Sequence, residues 1–337
     1  MTPWKDKVFI IAEAGVNHNG DVNLALQLVD AAADAGADAV KFQTYRAEAL
    51  VSLDAAMADY QKQNTGKEES QYAMLKRLEL SEEAHYLVKQ RAEKRGITFF
   101  STAFDSDSIS FLEKMDIPLW KIPSGEITNY PYLFRIGTLN RPTILSTGMA
   151  NLAEVEAAVT VLQKAGLQRE KLCILHCNTE YPTPVSDVNL RAMMTLGQAF
   201  GVSYGYSDHT AGGEISIAAT ALGAAVIEKH FTLDCKLPGP DHVASLEPKE
   251  LASMITAVRN IELAMGNGIK CPTQSEAKNI TVARKSIVAA RAIKAGEIFT
   301  ETNLTIRRPG IGLSPMNWPN LLGKVATIDY AVGELIQ

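Results

Sequence analysis

Short apolar runs recur along this chain at a regular pitch, and each is separated from the next by a segment with the period of an amphipathic helix. The runs fall at 8–12 (VFIIA), 39–42 (AVKF), 97–100 (ITFF), 119–122 (LWKI), 143–145 (TIL), 172–175 (LCIL), 202–206 (VSYGY) and 225–227 (AVI). Helical segments are predicted at 21–35, 81–95, 105–115, 152–165 and 214–222, several opening on a capping residue, as Ser81 does before Glu82 and Glu83. Eight strand–helix units in succession, followed by a helix over 248–265, predict an α/β fold whose parallel strands close into a (β/α)8 TIM barrel. An open doubly wound sheet is the rival reading of the same alternation.

Two stretches break the pitch. Residues 49–80 are rich in Gln, Glu and Lys, with a helical pattern near 71–80, and read as a lid or binding loop or else a plain surface insertion. After residue 265 the polar, turn-rich segment GNGIKCPTQSEAKN reads as a linker. The expected organisation is therefore a barrel over 1–265, a linker over 266–283 and a β-rich module over 284–337. Composition narrows the partners: 33 Lys and Arg against 38 Asp and Glu give a net charge of −5, and no basic run offers a grip on nucleic acid. No run of 18 apolar residues or signal-like start points to a membrane, so the cytoplasm is the expected address. Four sparse cysteines fit reduced thiols.

In such a barrel the residues that end the strands share one mouth. Every run here ends polar: Glu13, then Asn17 and His18; Lys41 and Gln43; Ser101 and Thr102; Lys121, Ser124 and Glu126; Ser146 and Thr147; His176, Asn178, Thr179 and Tyr181; Ser207, Asp208 and His209; Glu228, Lys229 and His230, with Asp241 and His242 beyond. A capped turn explains any one of these, not eight coincident sets. Lys41 and Lys121 stand inside apolar strands, where an ammonium needs either a carboxylate such as Glu13 or Glu126 or a bound anion. The turns PSGE (123–126) and STG (146–148) add hydroxyls and free backbone N–H groups suited to phosphate or carboxylate. His209 and His230 end adjacent strands and suit a divalent first-row cation with open positions, Mn2+ foremost, with Mg2+ or Co2+ as alternatives; a lone histidine is more often a core or surface residue. Cys173, His176 and Cys177 make no zinc site, because neighbours along a strand face opposite ways.

Taken together, the motifs IAEAGVNHNGD, AVKFQT, FFSTAFD, WKIPSGE, ILSTGM, LHCNTEYPTP, GYSDHT, IEKHFTLD and GPDH, in this order, resemble the bacterial sialic acid synthases. Past the linker, SIVAARAIKAGEIFTETNLTIRRPG is similar to that family's antifreeze-like (SAF) domain. The resemblance implies a metal-dependent condensation of phosphoenolpyruvate with an open-chain N-acetylated amino sugar, giving a nine-carbon 2-keto-3-deoxy acid and phosphate. It implies that phosphoenolpyruvate lies among Lys41, Thr102, Lys121, Ser124, Ser146, Asn178 and Ser207, with Thr179 as a stand-in for Asn178, and that the metal lies between His209 and His230. It further implies that Gln43, Tyr181 and Asp241 hold the sugar, with Glu13 and Glu126 near the reacting carbons. Arg308, in RRPG, corresponds to an arginine that the family inserts into the partner subunit's barrel, which implies a domain-swapped homodimer. IPSGEITNYPYL and STGMANL are closer to synthases of N,N'-diacetyllegionaminate than of N-acetylneuraminate, which favours 2,4-diacetamido-2,4,6-trideoxymannose over N-acetylmannosamine. A metal-dependent aldolase acting on another keto acid and a non-catalytic sugar- or ice-binding protein are the alternatives.

Overall fold

The computed structural model describes residues 2–66 and 69–337, and the chain divides into two compact units, one ending at Gly266 and the other starting at Asn267. In the first unit the strands are β1 (Phe9–Gly15), β2 (Ala39–Thr44), β3 (Thr98–Ala103), β4 (Trp120–Ile122), β5 (Thr143–Ser146), β6 (Leu172–His176), β7 (Ser203–Asp208) and β8 (Val226–His230). Each grows from one of the eight apolar runs. All pair in parallel, in the order β3-β2-β1-β8-β7-β6-β5-β4. That is the cyclic order of a (β/α)8 barrel cut at one seam between β3 and β4, and the pairing of β1 with β8 excludes the doubly wound alternative.

Every strand except β4 runs past its apolar residues into the polar ones that follow, so that Glu13, Gln43, Thr102, Ser146, His176, Ser207 and His230 belong to the strands. Ladder hydrogen bonds use the backbone alone, and the period of two decides which face a side chain takes. Lys41 and Lys121 therefore point into the barrel while their neighbours Val40, Phe42, Trp120 and Ile122 pack in the buried core with Leu28, Leu112, Ile136 and Leu162 of the surrounding helices. Burying each of these large apolar side chains contributes about 1.5–3 kcal/mol. The helix Glu82–Arg95 shows how local chemistry sets the ends: the Ser81 side chain accepts from the Ala84 N–H, and Gly96, at φ +69°, closes the last turn.

In the second unit β9 (Ser286–Ala289) pairs antiparallel with β10 (Leu304–Arg307) over a small core of Ile287, Ile293, Phe299, Leu304 and Tyr330. The segment read as a linker carries a helix, Gln274–Ala283, opened by a capping box between Thr273 and Glu276. Its last turn is held to the β module: the Arg308 Nε–H donates to the Ala283 carbonyl at 3.0 Å and the Gly310 N–H to the Thr281 carbonyl at 2.7 Å. No helix among the described residues is long and apolar enough to cross a membrane.

Between the barrel sheet and its helices one ion pair is fully buried: Lys229 Nζ lies 3.1 Å from Asp208 Oδ2 and donates to the Thr210 carbonyl, while Asp208 also accepts from Thr210 and Ser216. It ties β7 to β8 directly behind His209 and His230. Lys229→Met strands the Asp208 carboxylate and is expected to cost about 3–5 kcal/mol in urea unfolding. The double variant Asp208→Asn, Lys229→Met should recover much of that; a single variant as stable as wild type would contradict the pairing.

Candidate active site

A cavity of about 640 Å3 opens at the carboxyl ends of the strands. Glu13, Lys41, Gln43, Thr102, Lys121, Ser124, Glu126, Ser146, Tyr181, Ser207, His209, His230 and Asp241 all line it, together with Glu228, which the sequence reading marked as a strand end and gave no role. At its floor four buried charges alternate. Lys41 Nζ sits 2.8 Å from Glu13 Oε2 and 3.7 Å from Glu228 Oε2, while Lys121 Nζ lies 2.9 Å from Glu228 Oε1. Lys41 also donates to Thr102 Oγ1 at 2.9 Å, and the Ser207 hydroxyl donates to Glu228 Oε1 at 2.8 Å. The internal counter-charge expected from Glu13 or Glu126 is thus supplied to Lys41 by Glu13 and to Lys121 by Glu228. Glu126 sits on the cavity wall, accepting from Asn129 Nδ2.

Burial works against every charge in this cluster, and what differs is the number of partners. Burial pushes the Glu13 carboxyl up to about 7, against the pull of Lys41 and with repulsion from Glu228 added. Glu228 is held well below the usual carboxylate range, because the two lysines and the Ser207 hydroxyl outweigh its desolvation. Lys41 faces two carboxylates, which outweigh its burial and raise it; Lys121 faces one at close range and is lowered by burial. Above the lysines the Ser146 hydroxyl is buried without a protein partner, and Ser124 Oγ accepts from the Gly148 N–H at 2.9 Å. A Cβ at Gly148 would come within 2.8 Å of Ser124 Oγ and 2.6 Å of Thr179 Cγ2, so glycine keeps these hydroxyls free to face the cavity.

Beside the charges stand the two histidines, ring centroids 5.5 Å apart. Burial holds His209 down at about 4, against a hydrogen bond from Nδ1 to the Asn178 carbonyl, and holds His230 well below its ordinary value, helped by repulsion from His209 and Lys41. Burial thus favours the uncharged form of both rings, and His230 Nδ1 is buried without a partner. Asn178 departs from its expected place: its side-chain oxygen turns back to accept from the Glu180 N–H and the Thr183 hydroxyl, and it is Thr179 that lines the cavity. An Asx turn takes the Asn178 amide away from the cavity and leaves its carbonyl to orient His209. Burial pushes Asp241 up to about 6. Gln43 Nε2 reaches Glu13 Oε1 at 3.4 Å. Arg308 is exposed within the second unit.

The insertion at 49–80 forms part of the cavity wall. It carries helices at Asp59–Thr65 and Gln71–Leu78, and Tyr60, Gln61, Gln71, Met74, Leu75 and Leu78 line the cavity. Glu228 was discoverable in the sequence, since it lies two residues before His230 in a strand and must share its face. Nothing in the local pattern singles out Tyr60. Cys173, Cys177, Cys235 and Cys271 form no disulfide, and His176 Nε2 bonds the Val188 carbonyl.

The NeuB family model matches residues 28–270, and the SAF domain model matches 284–337. The chain belongs to the NeuB family. It is 54% identical to the N,N'-diacetyllegionaminic acid synthase of Campylobacter jejuni over 331 residues, 98% of this chain and 99% of that protein. Identity to the N,N'-diacetyllegionaminic acid synthase of Legionella pneumophila is 45% over 327 residues, covering 96% and 92% of the two chains. Among solved structures, the N-acetylneuraminic acid (sialic acid) synthetase of Leptospira borgpetersenii, in complex with citrate, superposes with a TM-score of 0.71 at 38% identity, covering 82% of this chain and 90% of that one.

The alternating cluster yields a direct test in this NeuB member. Glu228→Gln leaves Lys121 buried without its close counter-charge and is expected to cost about 3 kcal/mol or more in urea unfolding. Added phosphate should restore part of that loss, because a bound anion takes the place of the missing carboxylate. Full stability in the variant would mean that the cluster is not balanced as described.

Proposed function

We propose that this chain condenses phosphoenolpyruvate with the open-chain form of 2,4-diacetamido-2,4,6-trideoxymannose, releasing phosphate and N,N'-diacetyllegionaminate. The observation that carries the reading is the floor of the cavity: two buried lysines and three serine hydroxyls, that of Ser146 without a partner, beside a pair of buried histidines. Relatives named for N,N'-diacetyllegionaminic acid synthesis, at 54% and 45% identity, support the choice of sugar.

Lys41 and Lys121, with Thr102, Ser124, Ser146, Thr179 and Ser207 around them, bind the phosphate and carboxylate of the enol ester and hold its C3 toward the mouth. Gln43, Tyr181 and Asp241 hold the sugar so that its aldehyde carbon meets C3. The C3 electrons form the new carbon–carbon bond, and the aldehyde oxygen takes up a proton. Water then adds at C2, its proton passing to a nearby base, and the C2–O bond to phosphate breaks as the ketone forms. Glu13, a buried carboxyl whose titration lies near neutrality, is suited to hold and release the proton of that water, with Glu126 on the wall beside the reacting carbons.

His209 and His230 fit a divalent cation. Burial favours the uncharged form of both, the Nδ1–H of His209 is directed to a backbone carbonyl, which leaves Nε2 as donor, and an orphaned ring nitrogen remains on His230. Among the described residues no group of three or more His, Cys, Asp or Glu side chains is placed to hold a metal ion, so the reading rests on the two imidazoles alone. When bound, a cation such as Mn2+, with Mg2+ or Co2+ as alternatives, polarises the aldehyde oxygen of the sugar. Arg308 is read as reaching the sugar's N-acetyl group from the partner subunit of a domain-swapped homodimer.

Phosphate release from phosphoenolpyruvate is expected with 2,4-diacetamido-2,4,6-trideoxymannose, about tenfold or more weaker in kcat/KM with N-acetylmannosamine, lost with EDTA and restored by Mn2+. Binding of both substrates without phosphate release would favour a sugar-binding protein. Glu13→Gln is expected to lower turnover about a hundredfold or more with phosphoenolpyruvate affinity retained, and Arg308→Ala to raise the sugar's KM. In a swapped dimer, at sugar concentrations far below the KM of Arg308→Ala, mixing the two impaired variants restores roughly a quarter of wild-type activity, since half the random pairs hold one intact site; no recovery after subunit exchange would rule out sharing between subunits.

A further inference from the structure

The short helix Asp59–Thr65 of the insertion buries none of its residues fully, and its half-buried side chains, Tyr60, Gln61, Asn64 and Thr65, lie along one face. Two of them, one turn apart, fasten the helix to other loops of the cavity mouth. Tyr60 lies over the Tyr181 ring, with centroids 5.1 Å apart and planes at 30°. The Asn64 amide nitrogen carries two hydrogens and donates to two carbonyls, that of Pro240 at 2.7 Å and that of Tyr181 at 3.4 Å. Among the described residues these are the helix's only hydrogen bonds to other elements, since those of Gln61 and Thr65 stay within the helix and its first turn.

The two loops joined in this way carry groups read as holding the sugar. Tyr181 follows β6, and Asp241, whose peptide bond supplies the Pro240 carbonyl, follows β8. The Asp241 carboxyl is only 7% exposed, lines the cavity and has no hydrogen-bond partner among the described residues. Burial pushes it up to about 6. A buried carboxyl facing a cavity without donors of its own calls for donors from a ligand, and the O–H and N–H groups of an amino sugar supply them. Asn64 does not line the cavity, so it acts through the residues that it ties together.

We propose that Asn64 and Tyr60 are positioning residues for the sugar: by bridging the loops of Tyr181 and Asp241, the helix Asp59–Thr65 holds both at the spacing that the sugar's donors require. The inference rests on the reading of Tyr181 and Asp241 as sugar-binding residues. A sugar that spans their side chains and an amide that spans their backbone favour the same spacing, so each strengthens the other. Phosphoenolpyruvate, held at the lysines on the floor, does not depend on that bridge.

The test measures phosphate release by the full chain with Mn2+, varying 2,4-diacetamido-2,4,6-trideoxymannose and phosphoenolpyruvate in turn, with urea unfolding of every variant alongside to show that the barrel is intact. Asn64→Ala is expected to raise the sugar's KM about threefold to tenfold, the net worth of one hydrogen bond, with kcat and the KM for phosphoenolpyruvate within about twofold of wild type. Asn64→Asp keeps the shape but sets a carboxylate against two carbonyl oxygens, and should raise the sugar's KM further than Asn64→Ala. A residue that only fills space would give the opposite order. Tyr60→Phe, which keeps the stack, should stay within about twofold of wild type, and Tyr60→Ala should raise the sugar's KM about threefold or more. A sugar KM unchanged in Asn64→Asp, or KM values for the two substrates that rise together, overturns the positioning role and leaves the condensation standing. Absence of phosphate release by the wild-type chain with this sugar overturns the reading of the site and the positioning role with it.

Discussion

Two ammonium groups inside a barrel of apolar strands set the terms for everything around them. Lys41 and Lys121 are only 3% and 4% exposed, and neither could stay charged there without close opposite charge. Glu13 and Glu228 provide it, and the order Glu13, Lys41, Glu228, Lys121 leaves the floor of the cavity electrically even. A substrate anion that reaches this floor does not simply add to a positive surface. It exchanges partners with carboxylates already in place, and Glu13, the weaker acid of the two, is the one that yields most readily. If Glu13 has the role proposed for it, binding of an anion at Lys41 favours protonation of that carboxyl.

The scaffold keeps that cluster rigid by separating stability from chemistry across each strand. The inward residues of β7 and β8 carry Ser207, Glu228 and His230, and the alternate ones carry Asp208 and Lys229, whose buried pairing fixes the two strands to each other. The opposite wall, built from the insertion between β2 and β3, has a different character. It rests on a small cluster of Val16, Tyr45, Met57, Met74 and Leu78 and on ring stacking instead of strand ladders.

How far the sequence reaches can be read from individual residues. The eight strands were legible because short apolar runs bounded by turn residues have few other readings at that spacing, and the polar ends located the mouth. The strand lengths were not, since His176, Ser207 and His230 extend backbone ladders that composition does not report. Glu228 was visible as a strand end but not as the centre of the charge cluster, because the register across β1, β2 and β8 brings it to Lys41 and only the closure of the barrel brings it to Lys121 on β4. The turn at Asn178 was hidden for a related reason: whether an amide faces the cavity or closes its own turn depends on backbone direction. The helix at Gln274–Ala283 was read as linker because its period is weak; its capping box and the bonds from Arg308 and Gly310 carry it instead. Tyr60 acquires its place from a tertiary stack that no local pattern encodes.

The most direct examination of the central claim is a crystal structure of the protein grown with phosphoenolpyruvate and Mn2+, with data collected at the manganese absorption edge. The account predicts oxygen atoms of the ester within ion-pair distance of both Lys41 and Lys121, and an anomalous peak at His209 and His230. Lysines still paired to Glu13 and Glu228 with the ester elsewhere, or manganese bound away from both imidazoles, would contradict it.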